Sequence, residues 1–211
     1  LPTAIRGGSF IGQTAFGQEK LDGKGMEEVY QKWAMVQSAK GSLAVINNGV
    51  YAGSMQGGEL RVSLLHSPAY SGHPIKGRRI IPGDRAFARI DLGERTFQFK
   101  VEGYSGKAEG DLDLQAQLFN EKPVALSFFP SGAGKAPQSL VALDDAGISL
   151  SAFKKAEDGN GYILRLFETT GKSRTVNVSL PVWNIHEKVR LRGFEIVTLR
   201  VAPGRKKLEK C

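Results

Sequence analysis

The chain of 211 residues contains a single cysteine, Cys211, at its very end. One cysteine excludes an internal disulfide framework and a cysteine-built zinc site, and it suits a reducing compartment, so a cytoplasmic location is expected. Histidine is scarce as well. His66, His73 and His186 fall in neither an HxH nor an HExxH spacing, so the sequence carries no metal-binding signature. No apolar run approaches the ~20 residues of a membrane-spanning helix, and no membrane partner is expected. There is no GxSxG elbow. Ser131–Lys135 (SGAGK) lacks both the glycine spacing and the following Ser/Thr of a phosphate loop, and reads as linker. No charged segment leads into an apolar one at the start, which opens on Leu1, so the chain reads as a processed product or a piece of something longer.

Acidic residues are the minority, 21 against 29 Lys and Arg, for a net charge of +8. Neutralised phosphates would reward that excess, but its distribution points elsewhere. Basic residues concentrate only at Lys76–Arg79 and Arg205–Lys210, with Asp84, Asp91 and Glu94 interspersed. No helix carries a basic stripe and no aromatic-interleaved RNA signature occurs. The excess reads as a solubilising surface, with no nucleic-acid partner.

From Leu43 onward the dominant signal is period two. Leu60, Val62 and Leu64 alternate with Arg61 and Ser63; Phe97, Phe99 and Val101 with Gln98 and Lys100; Tyr162, Leu164 and Leu166 with Ile163 and Arg165. Thr175–Leu180 and Phe194–Val201 continue the series. Turn signals fall between the runs: Asn47-Asn48-Gly49, expected as a tight hairpin, then Pro82-Gly83, Asp158–Gly161 and Thr170-Gly171. Many short strands of this kind predict an all-β, antiparallel sandwich fold. Asp111–Asn120 reads as one short helix with Leu114 and Leu118 on its apolar face. Met26–Val36 fits either period: Met26, Val29, Trp33 and Val36 suit a helix, while Val29, Gln31, Trp33 and Met35 suit a strand. The expected organisation is an extended lead-in over 1–24, a first β lobe over 25–128, a linker over 129–138, a second β lobe over 139–201 and a solvated basic tail over 202–211.

Carboxylate pairs, the requirement of glycoside hydrolysis, each have an ordinary reading. Asp144-Asp145 precede a turn, Asp111 and Asp113 open a helix where negative charge is favoured, and Glu157-Asp158 sit at a hairpin tip. Arg165 and Glu168 lie on opposite faces of one strand. No catalytic residue is assigned.

Four ordered stretches carry more information: Leu43–Pro68 (LAVINNGVYAGSMQGGELRVSLLHSP), Asp91–Val101 (DLGERTFQFKV), Ile148–Gly171 (ISLSAFKKAEDGNGYILRLFETTG) and Leu191–Val201 (LRGFEIVTLRV). Together they resemble the C-terminal β domains of glycoside hydrolase family 38, the α-mannosidases. Phe16-Gly17 and Gln31-Lys32-Trp33 look like the approach to that region, so the resemblance spans about 16–201. It implies that Met26–Val36 is strand. It also implies a non-catalytic region whose partner is its own N-terminal catalytic domain. That upstream domain would carry the zinc and the Asp nucleophile, with an α-mannoside as substrate. The chain departs from the family pattern at His66, where Arg is usual, and at Asn48, where Asp is usual. The loop after His66 is expected to lie toward the active site, which makes His66, Tyr70 and His73 candidate sugar contacts. Leu1–Lys24, with Ile5, Phe10, Ile11 and Phe16, is expected to bridge to the catalytic core, and in the isolated chain either to be poorly ordered or to pack on its own sandwich or on a second copy in a homo-oligomer. The alternative is an independent carbohydrate-binding module, for which Trp183 in Pro181–Asn184 is the candidate sugar-stacking residue.

Overall fold

Apolar–polar alternation becomes strand wherever a sheet face is available to bury the apolar half. In the computed structural model, which describes residues 1–66, 92–108, 110–125 and 138–211, the first lobe is built from β1 (Ser9–Thr14), β2 (Gly17–Lys20), β3 (Glu28–Val29), β4 (Trp33–Gln37), β5 (Gly41–Asn47), β6 (Ala52–Gln56), β7 (Glu59–Val62) and β8 (Phe99–Ser105), followed by α1 (Leu112–Asn120). The second contains β9 (Ala142–Leu143), β10 (Ile148–Lys155), β11 (Tyr162–Glu168), β12 (Arg174–Leu180), β13 (Ile185–Leu191), β14 (Ile196–Val201) and β15 (Leu208–Lys210). Every described strand pair is antiparallel, as the sequence predicts.

The first lobe has three layers. A sheet ordered β2-β1-β4-β5-β8 packs one face on the smaller sheet β3-β6-β7 and the other on α1. The period-two geometry of β4 divides its side chains between these interfaces. Ala34 and Val36 enter the core with Phe10, Val45, Met55 and Leu60, while Trp33 and Met35 enter the one beneath Leu112 and Ala116. A strand buried on both faces is apolar throughout, which is why Met26–Val36 fitted two periods at once; it is strand, in the pieces β3 and β4.

Several expectations change. Residues 1–24 pack on their own sandwich, one of the outcomes expected, but as strands of the lobe rather than an extended lead-in: β1 pairs with β4, β2 closes a hairpin on β1, and Phe10 is 1% exposed. Their short apolar run is a sheet segment whose cover comes from distant residues. The Asn47–Gly49 turn closes no hairpin. The Asn47 side chain accepts the Gly49 and Val50 amides at 3.0 and 2.9 Å, and the chain passes from β5 in one sheet to β6 in the other. The helix forms where predicted, but its buried face is Leu112 and Ala116, with Leu114 and Leu118 exposed. The small Ala116 lets the helix sit close on Ala44 and Ile46. Residues 202–211 are not wholly a tail: β15 pairs with β14, Leu208 packs on the core, and its amide donates to Glu187 at 2.9 Å. Of the linker expected at 129–138, positions 129–137 lie outside the described residues.

The second lobe packs the sheet β10-β11-β14-β15 on β13-β12-β9. Leu164, Leu166, Val197 and Leu199 of the first meet Val176, Val178, Leu180 and Ile185 of the second. Burial of each such large side chain contributes about 1.5–3 kcal/mol. Gly161, at φ +86°, closes the β10–β11 turn so near β14 that a Cβ would stand 2.0 Å from the Val201 carbonyl oxygen.

The integration of residues 1–24 has a measurable consequence. Phe10→Ala is expected to lower unfolding stability by about 3–5 kcal/mol in chemical denaturation. Stability unchanged within error would mean that β1 is dispensable.

Candidate functional site

Three places in the described structure gather chemistry-bearing side chains. The first is an open groove of about 690 Å³ at one end of the first lobe, lined among others by Val29, Tyr51, Leu64, Leu65, His66 and Phe97. Its apolar residues are largely solvent-facing, with Val29 72% and Tyr51 59% exposed. The position follows from topology: β7 is the edge of one sheet and β8 the edge of the other, so the strand alternation at Leu64 and Phe97 runs past the zone where two sheets cover each other. His66 lies exposed in the segment after β7. Tyr70 and His73 lie outside the described residues. Asn48 is an anchor in this region: its side-chain oxygen accepts the Gln98 amide at 3.1 Å, fixing the approach to β8.

The second is an aromatic cluster on the second lobe. Trp183 is carried by the short 3-10 turn Pro181–Trp183 and is half-buried against the core. Its ring meets Phe153 at 5.9 Å and Tyr162 at 5.2 Å, both edge-on, while Phe153 and Tyr162 stack at 5.7 Å. Trp183 thus sits in a packed aromatic corner, with Val182 beside it exposed.

The third is ionic. Glu168, at the end of β11, has a side chain with no exposed surface. It accepts the amides of Thr170 (2.9 Å), Gly171 (2.7 Å), Lys172 (3.2 Å) and Phe194 (3.0 Å). The Thr170 hydroxyl and Arg174 Nε (3.1 Å) also donate to it. Arg174 in turn reaches Asp145 at 2.9 and 3.1 Å, and it lies so close over Gly147 that a Cβ there would stand 2.6 Å from the guanidinium. Burial by itself would raise the Glu168 pKa. The hydrogen bonds from Thr170, Phe194 and Gly171 outweigh it and hold the carboxyl below its usual range. The sequence showed only that Glu168 could not face Arg165; its partner Arg174 stands across the β11–β12 turn, a pairing without a spacing signature.

The carboxylates weighed from sequence have structural partners. Asp144 accepts the Asn177 amide at 2.8 Å, Glu157 pairs with Lys154 at 2.7 Å, and Asp158 with Arg200 at 2.9 Å. Asp113, taken as an ordinary helix-start residue, is turned inward between the lobes. It accepts Trp33 Nε1 at 3.3 Å and a short bond from Gln13 Nε2; burial, the leading cause, raises its pKa against the opposing effect of these donors and Lys32. Its i, i+4 position relative to Gln117 was the available hint that it shares a polar helix stripe.

Among the described residues no three His, Cys, Asp or Glu side chains converge as a metal site, and no helix is long and apolar enough to cross a membrane. Paired antiparallel sandwiches joined through a helix, with charges engaged in turns and edges, define a β-sandwich module. Residues 11–74 match the glycosyl hydrolases family 38 C-terminal domain, and residues 147–195 match the glycosyl hydrolases family 38 C-terminal beta sandwich domain, one in each lobe. The chain belongs to the C-terminal β domains of glycosyl hydrolase family 38. It is similar to Alpha-mannosidase G of Dictyostelium discoideum, 23% identical over 176 residues, which are 81% of this chain and 15% of that protein. Its fold is shared with an alpha-mannosidase from Enterococcus faecalis V583 at a TM-score of 0.71 and 17% identity, over 95% of this chain and 25% of that one. The chain thus spans a quarter or less of the length of either protein.

Glu168→Ala would strand Arg174 and several turn amides, so a loss of about 3–5 kcal/mol in denaturant unfolding is expected. The pH dependence has a definite sign. A carboxyl held below its unfolded value, ~4.3 for Glu, contributes its stabilisation fully above that pH and loses it as pH falls through the lower folded value. Acid unfolding of Glu168→Gln should therefore be shallower than that of the parent chain over this range; identical profiles would remove Glu168 from the linkage.

Proposed function

We propose that this chain is the non-catalytic C-terminal β-sandwich region of an α-mannosidase, supporting a zinc-dependent catalytic domain carried upstream. The observation carrying this reading is the ordered pair of family matches, one per lobe, in a chain that aligns with only a fraction of each similar α-mannosidase. The donor set is consistent with it. With no converging His, Cys, Asp or Glu triad among the described residues, those residues offer no fitting zinc site, and the zinc is assigned to the upstream domain. When bound there, it would supply Lewis-acid chemistry to the glycosidic substrate.

In this reading the residues here orient and exclude water. The apolar groove beside His66 is the surface turned toward the catalytic domain, since exposed apolar residues of this extent are otherwise costly in water. His66, Tyr70 and His73 would reach the α-mannoside from that side, and a second copy of the assembly would use other faces of the sandwich. A cytoplasmic setting remains the proposal for its location. The competing reading, an independent carbohydrate-binding module, draws on the aromatic corner, where Trp183 keeps part of its surface outside its contacts with Phe153 and Tyr162.

The test is an aryl α-mannoside assay with and without zinc. The isolated chain is expected to show no turnover, and the chain joined to its upstream domain to be active. Zinc-dependent turnover by residues 1–211 alone would overturn the proposal. A binding module would instead show mannobiose affinity that disappears in Trp183→Ala.

A further inference from the structure

We propose that the cleft between the two lobes binds a small, neutral polyhydroxylated ligand of pyranose size, with Asp113 at its centre. This goes beyond the reading above, since it concerns a site within this chain and requires no hydrolysis. Two of the contacts between the lobes frame it. At one, Phe16 at the β1–β2 turn packs edge-on against Phe167 at 5.4 Å. At the other, Gln117 of α1 lies 3.4 Å from the Ser149 hydroxyl. Beside these contacts is a cavity of about 220 Å³, lined from the first lobe by Gln18, Lys107 and Asp113 and from the second by Thr169 and Lys172. It meets a further cavity of about 430 Å³ at Asp113 and Thr169. The smaller one is below the roughly 300–1,000 Å³ of sites for drug-sized ligands and suits a single small ring.

The chemistry of the lining selects the ligand class. Both hydrogen bonds that the described residues give Asp113 fall on Oδ1, from Trp33 and Gln13, which leaves Oδ2 as an acceptor on a residue that lines the cavity. The side chains of Gln18, Lys107 and Lys172 make no hydrogen bond or ion pair among the described residues. An acceptor flanked by ammonium and amide donors suits vicinal hydroxyls, which donate and accept at once. A partly desolvated carboxylate gains more from such a donor than an exposed one does. An anion would meet Asp113 unfavourably, and an apolar ligand would leave these groups unpaired. Because the lining comes from both lobes, occupancy would also bridge a joint in which no described strand of one lobe pairs with a described strand of the other.

The experiment is an amide NMR titration of the full 211-residue chain with methyl α-mannoside, myo-inositol and, as the anionic control, sulfate. Expected are saturable shifts for the polyols at Lys107, Asp113 and Thr169–Lys172. Asp113→Asn and Lys172→Ala should each weaken binding about tenfold, the loss of a hydrogen bond to a charged group. Lys172 makes no side-chain bond that the fold uses, so its variant tests the site even if Asp113→Asn loosens α1. Lys206→Ala, at an exposed position that lines neither cavity, should leave the affinity unchanged. The proposal is overturned if neither polyol shifts the cleft at concentrations that saturate a millimolar site. Shifts confined to His66 or Trp183, or sulfate binding without polyol binding, overturn it equally.

Discussion

A carboxylate with no exposed surface persists as an ion only where fixed donors replace its water, and Glu168 shows how much structure that condition organises. Its donors come from the β11–β12 turn and from the Arg192–Glu195 turn before β14, and Arg174 extends the network to Asp145 ahead of β10. Three chain connections at one end of the second sandwich are thereby held to a single group. The same network sets the surface against which the first lobe rests. Phe167 precedes Glu168 and receives Phe16. Phe194 donates its amide to Glu168, and its ring lies 3.8 Å from where a Gly17 Cβ would stand. Phe16 and Phe194 both occupy left-handed backbone, at φ +56° and +58°, a conformation costing a non-glycine residue about 1–3 kcal/mol. The joint is thus assembled from strained turns that the ionic network helps to hold.

The two lobes solve burial differently. The second is a two-sheet sandwich with a single apolar interior. The first uses its five-stranded sheet twice, against a second sheet and against a helix, and so needs a strand apolar on both faces at its middle. Its smaller sheet leaves the apolar edge beside His66 uncovered among the described residues, whereas the inter-lobe joint holds cavities with polar as well as apolar lining. A solvent-facing apolar end and a cavity-lined middle are suited to different tasks: one to docking on a neighbouring domain, the other to small polar molecules.

Fold class was legible because period-two alternation is local: Leu164 and Leu166 must share a face whatever they pack against, and the structure buries both completely. The family could be read for a related reason, since ordered short stretches survive where each one alone is weak. The helix at Leu112–Asn120 was equally local in its existence, but which face it buried depended on the closeness that Ala116 permits.

What the sequence determined by itself was therefore the alternating strands from Leu43 onward that it signalled, the antiparallel sandwich class, the helix and the family likeness, since each depends on neighbours a few residues apart. Tertiary structure alone decided that Phe10 sits in a core, that Asn47 ends one sheet and leads to the other, that Glu168 finds Arg174 and that Asp113 turns into the cleft. Those outcomes depend on partners brought together across the fold, such as Gln13 and Asp113, and a sequence pattern carries no signal for a donor whose position the chain's path has yet to establish.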